Sequence, residues 1–253
     1  MLHVARQMRG DFAGLDRHAL LALIYTPPAL TCIAYLKYPA RAAALLDWTP
    51  LGDSLRHAAQ RTDTNLYAMV WWAVVLVGFY FVVPAILVRF VQKRSLSALG
   101  LAFNVERGFV TLTVQCLAIV LPLIYLMSLT PAFAANYPFL KVQDGAAYLG
   151  AGLVVWELAY ILQFFALEFF FRGFLLHSLK PVVGLYAILI VTIPYTMVHF
   201  TKPMPEVFAA IFAGLFLGWL SYRSGTIWLG VLLHVAVALA MDMFALLHKG
   251  MLF

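Results

Sequence analysis

Long apolar runs separated by short polar segments dominate the chain. They lie at residues 18–36, 66–88, 108–129, 146–179, 182–200, 207–222 and 226–247. Each run approaches the ~20 apolar residues that a helix needs to cross a bilayer. The pattern therefore predicts an all-α fold, a polytopic membrane helical bundle with seven transmembrane helices.

The run at 146–179 is longer than one crossing requires. As a single helix it would extend about 50 Å at 1.5 Å per residue, against about 30 Å of hydrocarbon. We expect it to tilt, to protrude or to split in two, and a split would give eight transmembrane helices. Between the first two runs, residues 40–65 mix Ala and Leu with charges. This mixture predicts a surface helix at the lipid interface, followed by a polar loop.

The composition supports a membrane protein. The chain is 64% apolar and only 11% charged, whereas an ordinary soluble domain carries about 25% charged residues. Its mean hydropathy is +0.91. We therefore expect an integral, multi-pass protein of the cell or plasma membrane.

The net charge of +6 raises the question of a polyanionic partner. The basic residues are dispersed among the loops and form no stripe with interleaved aromatic residues, so nucleic acid is not an expected partner. Positive-inside topology and attraction to anionic lipids explain the excess, which makes the lipid bilayer the expected partner. Cys32 and Cys116 both lie in apolar stretches and are interpreted as packing residues rather than a disulfide or metal pair.

Ionisable residues inside membrane spans are rare and are candidates for function. Seven occur here: Glu157, Glu168, Arg172, His177, His199, His234 and Asp242. Glu168 and Arg172 are four residues apart, so on a helix they lie one above the other in the favourable order for an ion pair. The spacing leaves open whether this pair only neutralises itself or takes part in chemistry.

Two histidines on separate runs extend the candidate site. Tyr195 lies one turn before His199, and His234 lies in the last run. Each histidine alone can serve as an interhelical hydrogen-bonding residue. Together with Glu168, the two can deprotonate a water and stabilise an oxyanion. One carboxylate and two histidines can also bind zinc.

Other chemistries find less support in the sequence. The His-Glu-x-x-His signature of zinc proteases and the Gly-x-Ser-x-Gly elbow of serine hydrolases are both absent. We therefore expect neither a metal nor a cofactor. Glu157 precedes Glu168 by about 16 Å of helix and Asp242 follows His234 by about 12 Å, so both are interpreted as lining residues. His177 is expected near a helix end, as a solvated interfacial imidazole.

The order of the candidate residues resembles a known family. Its pattern is Glu-Glu-x-x-x-Arg on one helix, Phe-x-x-x-His on the next and His-x-x-x-Asn on the last. This chain carries Leu167-Glu168-x-x-x-Arg172, Tyr195-x-x-x-His199 and His234-x-x-x-Ala238. Over residues 94–247 it is similar to the CAAX-protease and bacteriocin-processing family of glutamic-type intramembrane endopeptidases, also called CPBP or ABI, as a divergent member.

The resemblance implies catalytic roles for Glu168, His199 and His234, with Arg172 and Tyr195 in support. It also implies two parts: an amino-terminal segment at 1–93 with two spans and the amphipathic loop, and a protease-like membrane core at 94–253.

Two departures from the family pattern leave two readings open. Leu167 replaces the glutamate usually assigned as the base that activates water, and Ala238 replaces the asparagine that helps to stabilise the oxyanion. In the first reading Glu168 becomes the base, His199 orients or shares the proton and His234 binds the oxyanion. In the second, Glu168 only pairs with an arginine and the chain lacks a catalytic base.

The implied function is a metal-independent intramembrane endopeptidase that cuts a membrane-associated peptide or protein near its carboxyl end, with a Glu/His pair activating water. The alternative is a catalytically silent member that binds a peptide or a membrane partner, as an immunity protein or a chaperone does. A proton-coupled transporter would use the same buried groups as a relay, but the paired halves common in transporters are not visible here.

Overall fold

The computed structural model describes residues 14–103, 106–143 and 150–251. Residues 1–13, which begin the predicted amino-terminal segment, lie outside the described residues. Within the described ranges the chain forms helices and loops, with one isolated bridge between Thr64 and Val142. In chain order the helices are α1 (Arg17–Leu36), α2 (Pro39–Leu45), α3 (Pro50–Gln60), α4 (Leu66–Val91), α5 (Arg107–Ser128), α6 (Pro131–Asn136), α7 (Ala151–Val183), α8 (Tyr186–Met197), α9 (Met204–Ser224) and α10 (Trp228–His248).

Six of the described helices are long and apolar enough to cross a membrane: α1, α4, α5, α7, α9 and α10. The predicted polytopic helical bundle is therefore confirmed, while the predicted count of seven to eight is wrong. The predicted span at 182–200 forms α8, which has 12 residues. At 1.5 Å per residue α8 is about 18 Å long, too short for the ~30 Å hydrocarbon core. It is short because Gly184, with φ 56°, breaks the helix before it, and because a turn follows Met197.

The long predicted run remains one helix instead of splitting. Helix α7 has 33 residues, so it must tilt or protrude. It contains a π-helical turn at Phe169–Leu175, in which hydrogen bonds join residues five apart and widen the helix. Inside this turn the Arg172 carbonyl accepts a hydrogen bond from Ser221 Oγ of α9 at 3.1 Å. The turn begins immediately after Glu168, the residue on which the candidate site depends.

The part of α7 from residue 166 to residue 179 is buried on all sides. Phe170, Phe171 and Phe174 are each fully buried. The ring of Phe170 lies 5.0 Å from that of Tyr80 on α4, and the ring of Phe174 lies 5.8 Å from that of Tyr25 on α1. A helix covered on all sides is apolar all round, which accounts for the consecutive phenylalanines. The first two spans thus share a core with α7, and the division of the chain at residue 94 stays a prediction.

Residues 40–65 form parts of two short helices rather than one. Thr49 Oγ1 accepts a hydrogen bond from the Gly52 amide at 3.2 Å and caps α3, whose first residue is Pro50. Trp48, between the two helices, is 80% exposed, as is typical of an indole at a membrane interface. The break separates the two amphipathic pieces, so the predicted single surface helix is corrected to a helix pair.

Candidate active site

Glu168 joins two helices of the bundle through a single carboxylate oxygen. Its Oε1 accepts a hydrogen bond from Nη1 of Arg172 on the same helix at 3.1 Å, and another from Nδ1 of His234 on α10 at 2.7 Å. Glu168 is 0% exposed and Arg172 is 1% exposed. The predicted i, i+4 pair therefore forms, but the carboxylate also reaches a histidine on a different helix. An ion pair that only neutralises itself does not account for this second bond.

His234 is the part of this network that faces outward. Its side chain is 14% exposed while that of Glu168 is 0% exposed. Because a carboxylate only accepts hydrogen bonds, Nδ1 carries the proton and Nε2 offers a lone pair in the neutral imidazole. Nε2 lies 3.4 Å from the Tyr195 hydroxyl. The imidazole also stacks on the ring of Phe164 at 4.6 Å, one helical turn before Glu168.

His199 also contacts Tyr195. Its Nδ1 is 2.8 Å from the Tyr195 carbonyl, to which it donates, and the two rings are 4.8 Å apart. The Tyr195 and His234 rings are 6.2 Å apart. Both histidines thus contact one tyrosine, but only His234 contacts Glu168. The donation from Nδ1 leaves Nε2 of His199 without a bond among the described residues.

Arg172 connects Glu168 to the same tyrosine. Its guanidinium carbon lies 3.9 Å from the centre of the Tyr195 ring, a close cation–π contact. Glu168, Arg172, Tyr195, His199 and His234 are therefore linked in one network, which we call the five-residue cluster. The structure brings together every residue that the sequence nominated for the site. Their individual roles in catalysis stay predictions.

The two positions that depart from the family pattern lie in apolar packing. Leu167 is buried in the main core, in the same cluster as Phe171 and Tyr195. Ala238, one turn after His234, is buried in a second cluster that includes Trp156. A leucine and an alanine satisfy these environments without any polar partner. No carboxylate or amide is presented to the five-residue cluster from either position.

Gly230 permits the contact between Glu168 and α10. A Cβ atom at Gly230 would lie 2.7 Å from Glu168 Oε2, closer than van der Waals contact allows. The absence of a side chain therefore lets α10 approach the carboxylate, four residues before His234 on the same helix. Sequence reasoning missed Gly230, although its i, i+4 spacing to His234 is visible in the chain.

The remaining intramembrane ionisable residues lie outside the cluster. Asp242 Oδ2 accepts from Trp156 Nε1 at 2.8 Å, and Oδ1 accepts from the Phe139 amide at 3.3 Å, so this carboxylate fastens a loop to α7 and α10. Neither carboxylate oxygen of Glu157 has a partner among the described residues. The expectation of a solvated His177 is wrong. Its imidazole is buried and lies 3.1 Å from Ser221 Oγ of α9, because α7 continues past it to Val183 and α9 packs against this part of α7.

The geometry does not form the zinc set that the sequence left open. Within the described ranges, no three His, Cys, Asp or Glu side chains lie close enough to hold a metal ion. Glu168 contacts His234, whereas His199 turns its Nδ1 to a backbone carbonyl. The five-residue cluster is thus arranged as a carboxylate–imidazole pair beside a tyrosine and a second imidazole.

One protein-family model matches this part of the chain. Residues 149–240 match the model of the Rce1-like family, described as type II CAAX prenyl endopeptidase Rce1-like. The match spans all five residues of the cluster, so the resemblance seen in the motifs is confirmed over this segment. No curated protein and no solved structure matches the chain. Together with the six apolar helices, the match supports an integral, multi-pass membrane protein.

Proposed function

We propose that this chain is an intramembrane endopeptidase that cleaves a membrane-associated peptide near its carboxyl end, with the Glu168–His234 pair activating water. The observation that carries the proposal is the 2.7 Å hydrogen bond between Glu168 Oε1 and His234 Nδ1. A carboxylate behind an imidazole fixes its tautomer and stabilises the imidazolium that forms when the ring takes a proton. This arrangement suits a general base.

His234 Nε2, rather than the carboxylate itself, is the atom placed to take the proton. Glu168 Oε1 already accepts two hydrogen bonds, and Oε2 is covered by the backbone of α10 at Gly230. The imidazole is the more exposed partner. This assignment differs from the roles implied by the family resemblance, in which Glu168 is the base and His234 binds the oxyanion.

Tyr195 and His199 flank the position at which a substrate carbonyl would react. Nε2 of His234 removes a proton from water, and the resulting hydroxide adds to the carbonyl carbon of the scissile bond. The Tyr195 hydroxyl, 3.4 Å from His234 Nε2, is placed to donate to the oxyanion. The His234 imidazolium then returns its proton to the leaving nitrogen as the C–N bond breaks, and the products are a carboxylic acid and an amine.

A catalytically silent binding protein is the second candidate. It is favoured by the packing of Leu167 and Ala238, which supply only apolar surface where the family has a carboxylate and an amide. In that case the five-residue cluster would serve to orient a bound peptide. Binding without cleavage separates this candidate from the peptidase.

The test is cleavage of a farnesylated peptide ending in Cys-a-a-X by the purified chain in lipid nanodiscs, followed by mass spectrometry. We expect Glu168→Gln and His234→Ala each to reduce the rate at least 100-fold. Glu157→Gln is the matched control, because it makes the same change on the same helix outside the cluster. A wild-type protein that binds the peptide and leaves it intact would establish the silent candidate. Unchanged rates in Glu168→Gln and His234→Ala would remove the pair from the mechanism.

A further inference from the structure

A groove lies between the first residues of α1 and the end of α4. Its volume is about 220 Å³. It is lined by three polar residues, Arg17, His18 and Gln92, and by apolar side chains of the two helices. The helix ends are joined there by a hydrogen bond from Gln92 Nε2 to the His18 carbonyl at 3.4 Å. None of the lining residues belongs to the five-residue cluster, and we call this cavity the interfacial groove.

The position of the groove places it at the edge of the membrane. Helices α1 and α4 are both long and apolar enough to cross a bilayer, and the groove lies where α1 begins at Arg17 and α4 ends at Val91. Three further lining residues follow Arg17 at i+3, i+4 and i+7 on one face of α1: Leu20, Leu21 and Ile24. Ile24 lies about 10 Å deeper along the helix axis. The groove therefore has a polar mouth and an apolar side that runs toward the bilayer core.

Two polar atoms at the mouth lack hydrogen-bond partners. Gln92 is 6% exposed, and its Oε1 accepts no hydrogen bond among the described residues. The Nε2 atom of His18 is also buried and has no partner within the described part of the chain. A covered polar atom without a partner costs free energy. The terminal torsions of glutamine and histidine are broad, so both groups can turn toward a ligand in the groove.

The charge at this end of the bundle favours an anion. Four basic residues lie here, and none forms an ion pair with a carboxylate in the ranges that the structure describes: Arg17, Arg89, Lys93 and Arg94. Asp16 is the acidic residue nearest to the mouth in sequence. Its Oδ1 is occupied by the backbone amides of His18 and Ala19, both at 2.9 Å. The cations therefore outnumber the single, already engaged carboxylate.

We propose that the interfacial groove binds one anionic phospholipid whose headgroup also carries a hydroxyl. The phosphate lies between Arg17 and His18, and the headgroup hydroxyl donates to Gln92 Oε1. An acyl chain follows Leu21 and Ile24 toward the bilayer core.

The size and the lining of the groove support a lipid. The groove is smaller than the ~300–1,000 Å³ of sites that enclose a drug-sized ligand, so it holds the headgroup and the start of one chain while the rest of the lipid stays in the bilayer. A free phosphate ester would leave the apolar side of the groove uncovered. Basic pockets between membrane helices are typical binding sites for anionic headgroups. This inference does not depend on the peptidase function.

The experiment measures lipid binding to the full chain in detergent by native mass spectrometry. Three lipids with the same acyl chains are compared: phosphatidylglycerol, phosphatidylmethanol, which has the same charge but no hydroxyl, and phosphatidylcholine, which has no net charge. The wild-type chain should bind phosphatidylglycerol about threefold more tightly than phosphatidylmethanol and about tenfold more tightly than phosphatidylcholine. Arg17→Gln should remove the preference for anionic lipids, whereas Arg17→Lys should retain most of it. Gln92→Leu should remove only the preference for phosphatidylglycerol over phosphatidylmethanol.

The chain offers a matched control for each substitution. Arg107→Gln changes the exposed first residue of another spanning helix, α5, as Arg17→Gln does for α1. Gln163→Leu changes another buried glutamine whose Oε1 has no partner among the described residues. Both controls should keep the wild-type lipid preferences. Loss of the anionic preference in Arg107→Gln to the same extent would show a general effect of surface charge and overturn the site.

Other outcomes would also overturn the proposal. Equal binding of phosphatidylglycerol and phosphatidylcholine by the wild-type chain would do so, as would an anionic preference that persists in Arg17→Gln. Glycerol 3-phosphate has the same polar chemistry and no acyl chain, so competition at the same concentration as phosphatidylglycerol would assign the groove to a free phosphate ester. If Gln92→Leu does not fold, Gln92→Glu replaces it. The added negative charge should weaken anionic lipids and spare phosphatidylcholine, and unchanged binding of the anionic lipids would contradict the site.

Discussion

Replacement of Gly230 by alanine tests the contact on which the candidate mechanism depends. The new methyl group would lie 2.7 Å from Glu168 Oε2, whereas ordinary contact begins near 3.4 Å. About 0.7 Å must therefore be recovered by movement of the carboxylate or of α10. The carboxylate cannot move freely, because its Oε1 is held by both Arg172 and His234.

Either movement lengthens the 2.7 Å bond to His234 toward the limit of hydrogen bonding. A hydrogen bond to a charged group contributes about 1.5–3 kcal/mol. Loss of this contribution from the transition state would lower kcat/KM roughly 10- to 150-fold, at 1.36 kcal/mol per factor of ten. We expect Gly230→Ala to fall in this range in the peptide-cleavage assay.

Gly78→Ala is the matched control for this substitution. Gly78 also lies within a membrane-spanning helix, and a Cβ atom there would meet nothing within 4 Å. It should leave kcat/KM unchanged and raise stability slightly, since alanine is favoured over glycine in a helix by about 1 kcal/mol. Wild-type activity in Gly230→Ala, with the folded protein verified by thermal unfolding, would refute the role given to the Glu168–His234 contact.

Two further predictions follow from the same geometry. Tyr195→Phe removes the hydroxyl near His234 and keeps the ring under Arg172. We therefore expect kcat to fall about tenfold with little change in the thermal unfolding temperature. An unchanged kcat, or a clear fall in the unfolding temperature, would contradict this prediction. Ser221→Ala removes the donor to the Arg172 carbonyl in the π turn. It should lower the free energy of unfolding by about 1–3 kcal/mol. Denaturant titration measures this change, and Ser97→Ala at an exposed position is the control.

The sequence alone predicted the helical bundle and the members of the candidate site, because both depend on local patterns. Apolar runs of sufficient length specify membrane helices, and the i, i+4 spacing of Glu168 and Arg172 specifies a pair on one helix. The predicted number of spans was wrong at α8. Residues 182–200 are apolar enough to predict a span, but hydropathy does not show that Gly184 ends the preceding helix inside this run. The prediction of a solvated His177 was wrong for a related reason, because neighbouring helices bury this residue where a helix end was expected.

The contacts between helices could not be predicted from the sequence. Whether Glu168 meets His199 or His234 depends on the rotation of α7 and on how closely α10 approaches it. That approach is set by Gly230, whose significance is visible only when the two helices are packed. The contact of the Lys202 ammonium with the Phe139 ring likewise depends on a loop that is distant in sequence.

The replacement of the first motif glutamate by Leu167 acquires a physical interpretation from these contacts. Adjacent residues on a helix point about 100° apart, so the side chains of Leu167 and Glu168 leave α7 in different directions. Leu167 packs into the core while Glu168 meets His234 on α10. The carboxylate at position 168 contacts the last histidine of the motif, His234, rather than the first, His199. The cluster therefore contains one carboxylate–imidazole pair, Glu168 with His234, and the comparison of Glu168→Gln with Glu157→Gln decides whether that pair activates water.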